Sequence, residues 1–130
     1  MSTKALKTIL YAEDEEDIRA IAQIALEDIG GFTVRYCANG HEALDASHDF
    51  IPDLLLLDVM MPGIDGPTAL RELRKQSQFS DIPAIFMTAK IQSNEIEDYK
   101  AVGAICVIAK PFDPMTLADE IQRAWVKHHG

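Results

Sequence analysis

The sequence is poor in cysteine, with two in 130 residues, and in tryptophan, with one. Cys37 and Cys106 stand alone, with no CxxC pair and no histidine at ligand spacing beside them. A disulfide scaffold is therefore excluded, and both thiols are expected to act as small hydrophobes. Basic residues are scarce too: 12 Lys and Arg face 21 Asp and Glu, a net charge of −9. That balance offers no basic stripe to replace the counterions of nucleic acid. It also disfavours adsorption to an anionic membrane. Long apolar runs are missing, since none reaches the roughly 18 residues that a membrane span needs. The first run, Thr8–Ala12, is too short for a signal-peptide core and leads straight into acids. No GxxxxGK[ST] phosphate loop, internal repeat or low-complexity linker occurs. What is present, 48% hydrophobic and 25% charged residues, is ordinary for a globular chain. One domain over residues 1–130 is expected, cytoplasmic, binding neither nucleic acid nor membrane.

Short apolar runs alternate with amphipathic stretches. Thr8–Ala12 (TILYA) reads as a strand. Glu15–Ile29 carries apolar residues at Ile18, Ile21, Ala22, Ala25, Leu26 and Ile29, the spacing of one helical face. Gly30-Gly31 stops it. Phe32–Cys37 is β-branched and aromatic, hence a second strand. Asn39 with Glu42 three residues on forms a capping signature for a short helix to about His48. Asp53–Asp58 (DLLLLD) shows no alternation, so this strand is expected to be covered on both faces. Asp65-Gly66-Pro67 opens a helix containing Leu70 and Leu73, and Ser77–Asp81 reads as a polar connector. Pro83–Thr88 is the fourth strand, Asn94–Ala101 a weak helix stopped at Gly103, and Ala104–Ala109 the fifth strand. Asp113-Pro114 reads as a cap with proline at the first helical position. The helix after it carries Leu117, Ile121, Ala124, Trp125 and His128, with His128-His129 in a solvated tail. Apolar strands separated by helices predict an α/β fold, a doubly wound parallel sheet with helices on both faces.

In such sheets ligands bind beyond the carboxyl ends of the strands. There the chain places Glu13, Asp14 and Glu15 after the first strand, Asp58 at the end of the third, Thr88 at the fourth and Lys110 after the fifth. Each has a plain reading. The acids of Glu13–Asp17 suit a helix N-terminus, Asp58 could cap a turn, and Thr88 and Lys110 are ordinary singly. Their common position at strand ends on one side outweighs those readings. Clustered carboxylates suit Mg2+, a hard cation that prefers oxygen ligands. Without a cation they repel one another. A carboxylate such as Asp58 can attack phosphorus to give an acyl phosphate. Lys110 would add a second cation and Thr88 a hydroxyl hydrogen bond.

At these residues the sequence resembles the receiver domain of bacterial two-component response regulators, of the stand-alone, chemotaxis-regulator-like kind. The segments that carry the likeness are ILYAEDEEDIR, LLLLDVMMPGIDG, IPAIFMTAK and GAICVIAKPF, and it runs from about Lys7 to Trp125. The resemblance implies a flavodoxin-like (βα)5 fold with strand order 2-1-3-4-5. It implies Asp58 as phosphoacceptor, with Thr88 and Lys110 engaging the phosphoryl group. Mg2+ would be held by Glu13, Asp14, Asp58 and the backbone carbonyl of Met60. The Lys110–Pro111 bond would be cis. The implied partners are a sensor histidine kinase or histidine phosphotransfer protein, and a downstream protein on the face of helix 4, strand 5 and helix 5. With that strand order Cys37 and Cys106 lie four strand steps of about 4.8 Å apart, beyond disulfide reach of about 7 Å.

Several positions depart from the family pattern. Glu13-Asp14 stands where many members carry two aspartates. Val107 stands where an aromatic is common, and its β-branched side chain has no comparable two-state motion. Ala109 replaces a common hydroxyl residue. Met60 and Lys90, two residues beyond Asp58 and Thr88, flank the path of an attacking water. Two other readings compete with it: a binding module that is never phosphorylated, and a phosphohydrolase working through an aspartyl phosphate. The intact set of Glu13, Asp14, Asp58, Thr88 and Lys110 opposes the first. The second is opposed by Asp58 following the third strand, with Met60 rather than Asp two residues on. A phosphoryl-accepting switch that is not a turnover enzyme is expected.

Overall fold

Four consecutive leucines offer water no polar face, and the chain covers both sides of theirs. The computed structural model describes residues 4–89 and 93–129. Strands and helices alternate in it: β1 (Thr8–Ala12), α1 (Glu16–Gln23), β2 (Thr33–Cys37), α2 (Gly40–Ala46), β3 (Leu54–Asp58), α3 (Gly66–Arg74), β4 (Ala84–Thr88), α4 (Ser93–Val102), β5 (Ala104–Ala109) and α5 (Leu117–His129). The strands form one parallel sheet in the order β2-β1-β3-β4-β5, the expected doubly wound arrangement. β3 is central, and all its residues are buried. Alternate side chains then feed two cores. Leu54 and Leu56 join Ile9, Tyr11, Ile121 and Trp125 on the side of α1 and α5. Leu55 and Leu57 join Leu10, Phe86, Leu70 and Leu73 on the side of α2 and α3. Each buried leucine contributes roughly 1.5–3 kcal/mol of transfer free energy.

Local signals hold at the helix starts. Asn39 Oδ1 accepts the Glu42 amide at 2.9 Å, and Glu42 Oε1 accepts the Ala38 amide in return. Asp65 Oδ1 accepts the Thr68 amide at 2.8 Å, with Pro67 in the first turn. Three expectations are corrected. The helix over Glu15–Ile29 is divided: α1 ends at Gln23, and Ile24–Ile29 forms a π-helical turn. The Gly30 amide donates to Ala25 O, the i→i+5 pattern, and Gly31 at φ 75° turns the chain away. The wider turn keeps Ala25 and Leu26 buried but leaves Ile29 44% exposed. The connector Ser77–Asp81 is not merely polar. It contains a 3-10 turn, Ser77–Phe79, whose Phe79 is fully buried. Arg74 donates to the carbonyls of Phe79 and Ile82 and anchors this turn. Finally, α5 begins at Leu117, because Asp113 first closes a turn. Its Oδ1 accepts the Met115 amide and its carbonyl accepts that of Leu117.

Cys37 lies on β2 and Cys106 on β5, at opposite edges of the sheet, and both are free. Trp125 Nε1 donates to Lys4 O at 2.9 Å, which ties the last helix to the start of the chain. At the amino ends of the strands, Asp53 Oδ2 accepts the amides of Lys7 and Thr8, and Oδ1 pairs with Lys4 Nζ at 2.7 Å. No helix of the described residues is long and apolar enough to cross a membrane.

Candidate functional site

The carboxyl ends of β1, β3, β4 and β5 converge because parallel strands all point the same way. Ala12 pairs with Leu57, so the next residues of each strand, Glu13 and Asp58, stand side by side. Asp58 pairs with Met87, which brings Thr88 close. The Lys110 amide donates to Thr88 O at 2.9 Å, and the Lys110–Pro111 peptide is cis. The Lys110 ammonium lies between two carboxylates, 2.8 Å from Glu13 Oε1 and 3.0 Å from Asp58 Oδ2. Glu13, Asp58 and Thr88 are buried, and Asp14 is exposed at the rim. Met60 follows in the loop after β3 with its side chain 75% exposed. Val107 is half-buried on β5, on the floor of a groove of about 960 Å3 between α4 and α5. Lys90 lies outside the described residues.

Burial dominates the electrostatics. It pushes the Glu13 carboxyl up to about 7, against the pull of the Lys110 hydrogen bond and the Glu15 amide. Burial also raises Asp58, and Lys110 pulls it back down. Burial on its own would lower Lys110, but its hydrogen bonds to Glu13 and Asp58 outweigh that and raise it. The site thus holds two acids reluctant to lose their protons and one firmly cationic lysine. Such a site gains from any further cation.

Carboxylate oxygens of Glu13, Asp14 and Asp58 lie within 4.8 Å of one another. An all-oxygen donor set of this size, open on the Asp14 side, fits Mg2+ with part of its water shell retained. Three supporting contacts were not legible in the sequence. Arg19 donates to Glu13 O at 2.6 Å, and the Glu15 amide donates to Glu13 Oε2, so α1 holds the acidic turn in place. Gly66 is the third. A Cβ there would sit 2.5 Å from Asp58 O, so only glycine lets α3 start against the backbone of Asp58. The Asp-Gly pair signalled a helix start, but nothing local signalled this approach.

Comparison with known proteins agrees with the geometry. Residues 9–122 match the model of the response regulator receiver domain, and the chain belongs to that family. It is 37% identical over 108 residues to the response regulator Rre1 of Synechocystis, covering 82% of this chain and 46% of that protein. With the phosphate regulon transcriptional regulatory protein PhoB of Pseudomonas aeruginosa it shares 38% identity over 117 residues, covering 89% of this chain and 50% of that one. The chain thus spans about half the length of the curated relatives it matches. Among solved structures, the chemotaxis response regulator CheY4 of Vibrio cholerae superposes with a TM-score of 0.85 at 32% identity, covering 92% of this chain and 99% of that one. The chain carries a flavodoxin-like receiver domain of two-component signalling.

Proposed function

We propose that Asp58 accepts a phosphoryl group from a sensor histidine kinase or histidine phosphotransfer protein, with Mg2+ held by Glu13, Asp14, Asp58 and the Met60 carbonyl. The observation that carries this reading is the Lys110 ammonium poised between Asp58 and Glu13. An oxygen of Asp58 attacks phosphorus as the bond to the donor's histidine nitrogen breaks, and an acyl phosphate forms. Lys110 then turns from the free carboxylates to the new phosphoryl oxygens, and Thr88 donates its hydroxyl to one of them. Mg2+ held by Glu13, Asp14, Asp58 and the Met60 carbonyl would supply charge neutralisation for the transfer. Ile18, Ile21, Pro111, Phe112 and Pro114 line an apolar groove of about 280 Å3 against Lys110, which suits the donor protein. The reaction is self-phosphorylation and self-dephosphorylation rather than enzymatic turnover.

Output passes through the α4–β5–α5 face to a protein target that binds one state better than the other, or through onward phosphotransfer. We read the chain as a cytoplasmic, single-domain regulator that binds neither nucleic acid nor membrane. The net charge of −9 disfavours nucleic acid and an anionic membrane surface. A second reading, the receiver portion of a longer regulator, is favoured by relatives of about twice its length. The intact mass of the native protein separates the two. The main reading is tested with acetyl phosphate and Mg2+. Wild type gains the mass of one phosphoryl group, Asp58→Asn gains none, and equal labelling of both removes Asp58 as acceptor.

A further inference from the structure

Among the described residues, one buried side-chain polar atom has no hydrogen-bond partner: the hydroxyl of Tyr11. Such an atom is costly to bury, so a purely apolar ring would serve a passive core better. Tyr11 is fully buried on β1, two residues before Glu13, and residues two apart share one face of a sheet. Leu56 is its register partner on β3, two residues before Asp58. The Tyr11 side chain thus shares a sheet face with those of Glu13 and Asp58, one alternation before them. Burial raises its pKa first, and the carboxylates of Glu13 and Asp58 raise it further, so it stays protonated and able to donate. Tyr36, whose ring meets that of Tyr11 edge-on at 6.1 Å, does not relieve it: its hydroxyl turns to Glu27 Oε2 at 2.7 Å and makes no bond to that of Tyr11.

Glu13 is fully buried, and its oxygens are held by Lys110 Nζ and the Glu15 amide. When Lys110 turns to a phosphoryl group on Asp58, Glu13 Oε1 gives up its lysine, which leaves the Glu15 amide and the Mg2+ of the proposed site to hold the side chain. We propose that Tyr11 is a positioning residue whose hydroxyl then donates to the Glu13 carboxylate and holds it in place while Lys110 serves the phosphoryl group. This rests on the receiver reading. It explains why the chain keeps on that sheet face a hydroxyl that is idle in the resting state.

The test is Tyr11→Phe, with Tyr36→Phe as control and beryllofluoride plus Mg2+ as the phosphoryl mimic. In urea without Mg2+, Tyr11→Phe should be as stable as wild type or more so, since it removes only an unpartnered oxygen. Its beryllofluoride affinity should fall roughly tenfold or more, the worth of one hydrogen bond to a charged group. In wild type the Tyr11 13Cζ resonance should shift on adding the mimic, and Tyr36→Phe should bind normally. Unchanged affinity in Tyr11→Phe with a stationary Tyr11 resonance overturns the proposal. So does a loss of resting stability large enough to account for the weaker binding. Failure of wild type to bind beryllofluoride would sink the receiver reading itself, a distinct outcome.

Discussion

Lys110→Met removes the one cation that touches both buried carboxylates among the described residues, and it keeps most of the side-chain volume. The ammonium lies 2.8 Å from Glu13 and 3.0 Å from Asp58. At an effective dielectric of about 20, each contact has a gross Coulomb energy of roughly 6 kcal/mol. Desolvation of three charges offsets much of it, so the net cost of removing one partner is about 3–5 kcal/mol. The loss should depend on pH. Glu13 already titrates near 7 in the folded protein, against 4.5 for a free carboxyl. Between those values the folded state binds more protons than the unfolded state, so stability falls as pH rises through the window. Without Lys110 the upper edge moves higher and Asp58 follows. The gap between variant and wild type should therefore be small near pH 5 and full near pH 8. Urea denaturation in EDTA at pH 5, 6, 7 and 8 measures it. Mg2+ should then restore the variant more than it stabilises wild type. A gap that is absent at pH 8, or constant across the range, would refute the reasoning.

Gly66→Ala forces a Cβ to 2.5 Å from Asp58 O, where only backbone can yield. It should cost about 1–3 kcal/mol, the usual range for overpacking. It should also slow acetyl phosphate labelling of Asp58 more than Gly31→Ala does, in a region with nothing within 4 Å. Asp53→Asn should lose about 1–3 kcal/mol through weakened bonds to Lys4, Lys7 and Thr8. Burial alone would raise the Asp53 carboxyl, but those bonds outweigh it and hold the group below 3.8. Its contribution is present above the unfolded value and lost as pH falls through the folded one. Melting temperatures of variant and wild type should accordingly converge below about pH 3 and diverge above pH 5.

Much of the site was legible because its logic is serial. Parallel strands bring their carboxyl ends to one edge, so Glu13, Asp14, Asp58, Thr88 and Lys110 could be gathered once the strands were set in the order that the family resemblance implies. The caps at Asn39 and Asp65 were legible too, since each bonds within three residues of itself. The unequal fates of Glu13 and Asp14 were not. Adjacent acids look alike in sequence, yet one is sealed beneath Lys110 and the other faces water. Phe79 was passed over in a polar stretch because only the approach of α3 makes a pocket for it. The π-helical turn was hidden by good helical spacing. It arises where Gly30 meets α5: a Cβ there would lie 2.9 Å from that of Ala118.

Composition, apolar periodicity and strand-end chemistry were enough to specify an acidic doubly wound domain with a carboxylate site, because these depend on neighbours along the chain. Which carboxylate is buried, which lysine oxygen pairs form and which hydroxyl is left idle depend on distances between residues up to 97 positions apart. Packing settles those, since burial sets the cost of every charge and only the assembled sheet decides what is buried.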